Sequence, residues 1–184
     1  MKKTEKNNNH EENTLPDAIR LIHCRNDLLP FHALTTEDQV LLLTFSRDHL
    51  NQKLTYLALH YPESRILATK DSTLCDQFQE YLQGKRSDFS FSPHPFFLQQ
   101  GTAFQQKIWD LIARIPYGGK MSYGALAKEI GHIRYARAVG RACNSNPVAL
   151  IIPCHRVTGA RDIGGFAGGI TAKKRLLKIE EEKG

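Results

Sequence analysis

The chain has 184 residues, 41% of them apolar, which suits one large globular domain or two small ones, each with a real core. No apolar run approaches the ~20 residues of a membrane span. The polar start Met1–His10 lacks the apolar stretch of a secretory signal, so a cytoplasmic protein without a membrane partner is expected.

The net charge of +6 is unevenly spread. Residues 1–100 carry 11 Lys/Arg against 13 Asp/Glu, whereas residues 101–184 carry 14 against 6, a net +8. That asymmetry points either to a polyanion such as nucleic acid or to a solvated basic surface.

In chain order, residues 1–18 read as a disordered polar tail. Over residues 28–47, apolar runs such as Val40-Leu41-Leu42-Leu43-Thr44-Phe45 predict strands, with Thr35-Thr36-Glu37-Asp38 as the turn between them. Leu74, Phe78, Tyr81 and Leu82 recur at helical spacing over residues 72–84, and Gly84 suits the stop. Residues 88–92 alternate like a strand. Ser92-Pro93-His94-Pro95 then breaks the pattern and marks a domain boundary. Residues 19–95 thus read as a small domain of strands and helix, and residues 96–184 as a second, mostly helical one. The fold class is α+β.

In the second domain, Phe104, Ile108, Leu111, Ile112 and Ile115 form one apolar stripe over residues 102–115, which Pro116 ends. After the turn Tyr117-Gly118-Gly119-Lys120, a short helix runs over residues 123–130, with Ser122 as N-cap and Gly131 as stop. Another covers residues 134–143 and breaks at Asn144-Ser145-Asn146-Pro147. Two short helices about a glycine turn are the pattern of a helix-turn-helix. On the second, Arg134, Arg137 and Arg141 fall within about 60° of one another, opposite Ala136, Val139 and Cys143. The arginine row faces DNA phosphates or simply solvent, and Cys143 reads as a small core residue. Gly164-Gly165 and Gly168-Gly169 bracket Phe166-Ala167 in a tight loop, which either lines a pocket for a flat base or tucks Phe166 into the core. In the last helix, residues 171–182, Leu176 and Leu177 precede Glu180 by four and three residues, so that carboxylate leans toward the packed side.

The four cysteines, Cys24, Cys75, Cys143 and Cys154, form no Cys-x-x-Cys pair. Reduced thiols are the expectation, and neither a metal nor a cofactor is called for. The run Leu150-Ile151-Ile152-Pro153-Cys154-His155-Arg156-Val157 delivers one thiol between a proline and a histidine. A thiol is nucleophilic as its thiolate, which a histidine base or nearby positive charge favours. The bland alternative is an inert buried cysteine.

Residues 118–130, Ala136-Arg137-Ala138-Val139-Gly140, Asn146-Pro147, Ile152-Pro153-Cys154-His155-Arg156-Val157, Gly168-Gly169 and Leu176-Leu177 occur in one order. Together they closely resemble the O6-alkylguanine-DNA alkyltransferases, also called methylated-DNA–protein-cysteine methyltransferases, over about residues 101–182. The resemblance implies an RNase H-like N-terminal domain and a winged-helix-like C-terminal domain. It implies a monomer that binds the minor groove of double-stranded DNA, flips out O6-alkylguanine (O4-alkylthymine being a second candidate) and takes the alkyl group irreversibly, once.

By position, Cys154 is then the acceptor, His155 the base acting through a water, and Glu180 the carboxylate that orients it. Asn146 braces the turn before the site. Tyr123 helps extrude the nucleotide and protonate the leaving guanine, and Arg137 fills the gap left by the flipped base. Arg134, Arg141 and Ala138 would share the DNA face, and Phe166, Ala167, Val157 and Gly168 the substrate pocket. Three positions depart from the pattern: Tyr135 stands for a small residue, Ala149 for a proline and Phe166 for a tyrosine. Two rival readings are a binder of alkylated DNA that does not repair it, although such proteins lack the cysteine, and a helix-turn-helix regulator.

Overall fold

The structure, a computed structural model, describes residues 15–69 and 73–183. Of the tail expected over residues 1–18, residues 1–14 lie outside that part, and Ala18 already opens the first strand.

Strands β1 (Ala18–Cys24), β2 (Phe31–Thr35) and β3 (Gln39–Thr44) form an antiparallel meander. The β2–β3 turn is closed as expected, with Thr36 N–H donating to the Gln39 carbonyl at 2.9 Å and Gln39 N–H to Thr36 Oγ1 at 3.1 Å. Helix α1 (Arg47–His60) starts at Ser46, whose hydroxyl accepts from His49 N–H. It leads to β4 (Arg65–Ala68), parallel to β1. Helix α2 (Thr73–Leu82) and the short β5 (Ser92–Pro93) complete a sheet of order β4-β1-β2-β3-β5.

The central strands of this sheet are buried on both faces, which is why Val40–Leu43 reads as an unbroken apolar run. On one face Ile19, Leu34 and Leu42 meet Leu50 and Leu57 of α1, together with Phe96 and Phe97 of α3 (Pro95–Gln99). On the other, Ile22, Phe31, Val40 and Leu43 meet Leu74, Phe78 and Tyr81 of α2. That cluster runs without a break into the C-terminal core.

Two expectations are corrected here. Of the strand read over residues 88–92, only Ser92 joins a ladder, together with Pro93. Gln77 of α2 takes over the backbone pairing upstream: Ser90 N–H donates to Gln77 Oε1 at 2.9 Å, and Gln77 Nε2 donates to Ser90 Oγ. Nor do the prolines break structure. Pro93 sits in the edge strand, where a missing N–H is tolerated. His94 then caps α3, with Pro95 in its first turn.

Helix α4 (Ala103–Ala113) opens on a reciprocal Thr102/Gln105 capping box, and Trp109 Nε1–H donates to the Ala142 carbonyl at 2.8 Å. A two-residue strand β6 (Met121–Ser122) leads into α5 (Tyr123–Glu129), capped by Ser122. After Gly131, whose φ of +125° only glycine adopts easily, a 3-10 turn (Ile133–Tyr135) enters α6 (Ala136–Asn144). Arg134 lies in that turn, outside the helical phase assumed for it, although it is exposed like Arg137 and Arg141. A second 3-10 turn (Cys154–Arg156) precedes β7 (Val157–Thr158), parallel to β6, and the chain closes on α7 (Ile170–Lys183). Leu43 N–H donates to the Pro147 carbonyl at 2.7 Å, so β3 is bonded directly to the segment that carries the thiol.

Candidate active site

The turn after α6 is held by one side chain. Asn146, 6% exposed, donates from Nδ2 to the Ile152 carbonyl at 2.8 Å and accepts from Val148 N–H at 3.0 Å. This staple spans Leu150, which sits at φ +73°, a strained conformation for a branched residue. The Cys154 thiol is thereby delivered to the floor of a cavity of about 450 Å³.

The thiol is 5% exposed. Burial pushes its pKa up, and the Asn146 side chain and the Lys173 ammonium work the other way without winning. At rest the group is a neutral thiol. It needs a base when it reacts.

His155, the next residue in the chain, is 1% exposed. Burial pulls its pKa down, so the imidazole is neutral. Its Nε2 lies 2.6 Å from Glu180 Oε1, and its buried Nδ1 has no hydrogen-bond partner among the described residues. Because Glu180 is ionised, the single ring proton belongs on Nε2, and Nδ1 is left as a bare acceptor.

Glu180, fully buried on α7, collects four donors. Oε1 accepts from His155 and from the Tyr81 hydroxyl, and Oε2 accepts from Arg156 Nε at 2.9 Å and Gly118 N–H at 3.0 Å. Burial alone would raise the carboxyl, but the hydrogen bonds of His155, Arg156 and Tyr81 outweigh it and hold the pKa at about 2. Arg156 is fixed in turn by the Ile115 carbonyl, 2.7 Å from Nη1. Lys173 is likewise fully buried and donates to the Val157 carbonyl at 2.5 Å and the Gly165 carbonyl at 3.0 Å.

Tyr123, in the first turn of α5, forms one wall of the cavity. Its ring lies where a Cβ on Gly164 would be, 2.6 Å from the nearest ring atom, so this glycine is required by close approach as well as by its φ of +68°. Burial pushes the phenol up to about 12.

Of the expected pocket residues, Phe166 and Ala167 line the cavity. Val157 and Gly168 do not. The Val157 side chain is fully buried in the core, and a Cβ on Gly168 would meet Leu29 at 2.5 Å. Arg137 is exposed at the cavity rim. Arg134 and Arg141 are exposed beyond it, and Ala138 is half-buried on the same helix. Cys143, expected in the core, lines the same cavity as Cys154, and burial pushes its thiol up as well.

Sequence reasoning did not assign Tyr81, Gly118, Arg156 or Lys173. In the sequence Lys173 is one of three consecutive cations, Lys173-Lys174-Arg175, and nothing there marks it or Arg156 as buried. A larger groove of about 590 Å³, bordered by His49, Lys53 and Trp109, is lined by no cysteine. Among the described residues no group of three or more His, Cys, Asp or Glu could hold a metal ion.

Comparison with known proteins shows what the chain as a whole is similar to. Residues 103–182 match the family described as 6-O-methylguanine DNA methyltransferase, DNA binding domain. The chain is 37% identical over 168 residues to the methylated-DNA–protein-cysteine methyltransferase of Mycobacterium bovis, covering 89% of this chain and 94% of that one. It is 37% identical over 137 residues to the protein of that name from Shigella flexneri, covering 72% and 78%. Among solved structures, that of Mycobacterium tuberculosis O6-methylguanine methyltransferase superposes with a TM-score of 0.68 at 30% identity, covering 91% and 94%. The M. tuberculosis OGT in complex with DNA gives 0.68 at 31% identity, covering 90% and 94%.

Proposed function

The chain belongs to the methylated-DNA–protein-cysteine methyltransferase family, and from that premise we infer that it repairs alkylated DNA by direct reversal, with Cys154 as the acceptor. The observation that carries the assignment of Cys154 is its position: a thiol on the floor of a cavity rimmed by Arg137 and walled by Tyr123, next to a buried histidine–carboxylate pair.

The damaged carbon sits on guanine O6 inside the duplex, so the nucleotide must leave the stack, at a cost of a few kcal/mol. Arg137 offsets this by occupying the vacancy, and Arg134 and Arg141 hold phosphates. The thiol proton passes through a bridging water to His155 Nδ1. The sulfur–carbon bond forms as the carbon–O6 bond breaks, and the electron pair of that bond stays on guanine, which takes a proton from Tyr123. With a pKa of about 12, Tyr123 still carries that proton at neutral pH. The product is restored guanine and a thioether on Cys154. A thioether offers no carbonyl or disulfide for water or Cys143 to attack, so each molecule turns over once.

The same proposal divides the chain into a supporting domain over residues 19–95 and a reacting domain over residues 96–184, with α3 packed back on the sheet. It also places the protein in the cytoplasm as a monomer. No helix among the described residues is long and apolar enough to cross a membrane, and the four cysteines are free.

Incubation with duplex DNA containing O6-methylguanine, followed by intact-mass measurement, tests the proposal. One added methyl per chain is expected, absent in Cys154→Ala. Unchanged mass with retained DNA binding would leave a non-repairing binder instead.

A further inference from the structure

The supporting domain reaches into the reactive network at one point. Tyr81, on the last turn of α2, is fully buried, and its hydroxyl donates to Glu180 Oε1 and lies 3.3 Å from His155 Nε2. We propose that Tyr81 is a positioning residue for alkyl transfer, which fixes the Glu180 carboxylate and through it the orientation and proton affinity of His155. This rests on the reading of Cys154 and His155 given above.

The geometry gives the reason. Oε1 of Glu180 is the oxygen that holds His155, and Tyr81 is the only other donor to it among the described residues. Arg156 and Gly118 hold Oε2. With Tyr81 in place the carboxylate is pinned at both oxygens and its charge at Oε1 is shared. Without it, Oε1 keeps only the imidazole as a donor and becomes a stronger partner for an imidazolium. The phenol cannot substitute as a base, since burial and the Glu180 charge raise its pKa and it keeps its proton. The groups facing this pair are Arg156, the Tyr117 hydroxyl from the preceding turn, and Lys173 from α7. The two cations disfavour a charged His155, and Tyr81 acts in the same sense by drawing charge from the carboxylate. The Tyr81 ring is independently held by Phe89 at 5.5 Å and by Tyr117 at 5.7 Å, centroid to centroid, so the hydroxyl can be removed while the packing stays.

The test is Tyr81→Phe in the full chain, measured with duplex DNA containing O6-methylguanine. The single-turnover rate constant should fall about tenfold at saturating DNA. DNA affinity should be unchanged, and the acid limb of the pH–rate profile should move to higher pH, because His155 becomes easier to protonate. Nitrogen NMR of the imidazole should show its doubly protonated form appearing at higher pH than in the wild type. Should Tyr81→Phe fold poorly, 3,5-difluorotyrosine at position 81 keeps the hydroxyl as a stronger donor and should move the acid limb to lower pH. A wild-type rate with an unmoved acid limb in either variant would overturn the proposal, as would a slower reaction with an unmoved limb. Failure of the wild-type protein to accept a methyl group would instead overturn the repair reading itself.

Discussion

Cys154 sits near a cation and stays protonated, because the loss of solvent costs a thiolate more than Lys173 and Asn146 recover. His155 is neutral for the same reason, and Tyr123 holds its proton until about pH 12. The reactive form is therefore thiol, neutral imidazole and phenol together. Methyl transfer should slow only as pH falls below 6.5, the unperturbed imidazole value, toward the lower value that burial gives His155. It should hold level through neutral pH and show no loss from Tyr123 in the alkaline range. Single-turnover rates from about pH 5 to 10 would reveal this. A downturn just above neutrality would mean that some other acid controls the step. At this scale the proposed reacting pair is legible in the sequence, since Pro153-Cys154-His155 is contiguous. Its supports were not. Tyr81 and Glu180 lie 99 residues apart, and Arg156 and Lys173 look like ordinary surface cations until the fold buries them.

The helices that position this chemistry announce themselves by caps and stripes. Thr102 with Gln105 opens α4, and Ser122 opens α5, both readable from residue type and spacing. Strand β1 and helix α1 were not read in advance. Leu50 and Leu57 of α1 are buried and Leu54 packs beside them, a spacing that could have found the helix. The strand expected over residues 88–92 failed because a side chain of α2, Gln77, satisfies Ser90 in place of a neighbouring strand.

Helix α6 divides its arginines by position. Arg137 is at the cavity rim and Arg141 is exposed one turn on. Arg141→Ala should weaken duplex binding and reduce the steepness of its salt dependence by about one ion, leaving the rate at saturating DNA intact. Arg137→Ala should lower that saturated rate several-fold, because the flipped state loses its filler. Equal effects of the two substitutions on affinity and rate would contradict the division.

At the scale of the molecule, the two halves are one bonded unit. Leu43 N–H reaches the Pro147 carbonyl, Tyr81 reaches Glu180, and a single apolar cluster runs from β1 to α7. The charge asymmetry pointed to the C-terminal half as the DNA side, but nothing in composition revealed how many histidines the packed unit would desolvate. His32, His49, His94 and His155 all have folded pKa values below 6.5, with burial as the leading cause in each. For a depressed pKa, the stabilising contribution is complete above the unfolded value and disappears as pH falls through the folded one. Below about pH 6.5 the unfolded chain therefore takes up protons that the folded chain refuses, and stability falls with pH. Glu180, held at about 2 against an ordinary 4.5, adds a second loss of the same sign between those values. Urea unfolding should accordingly show a midpoint that declines from pH 7 to 5 and again below 4.5. Glu180→Gln should remove most of the second decline while sparing the first. A midpoint constant from pH 7 to 5 would show that these imidazoles are hydrated in the folded state, and with them the interior that leaves His155 neutral and Cys154 a thiol.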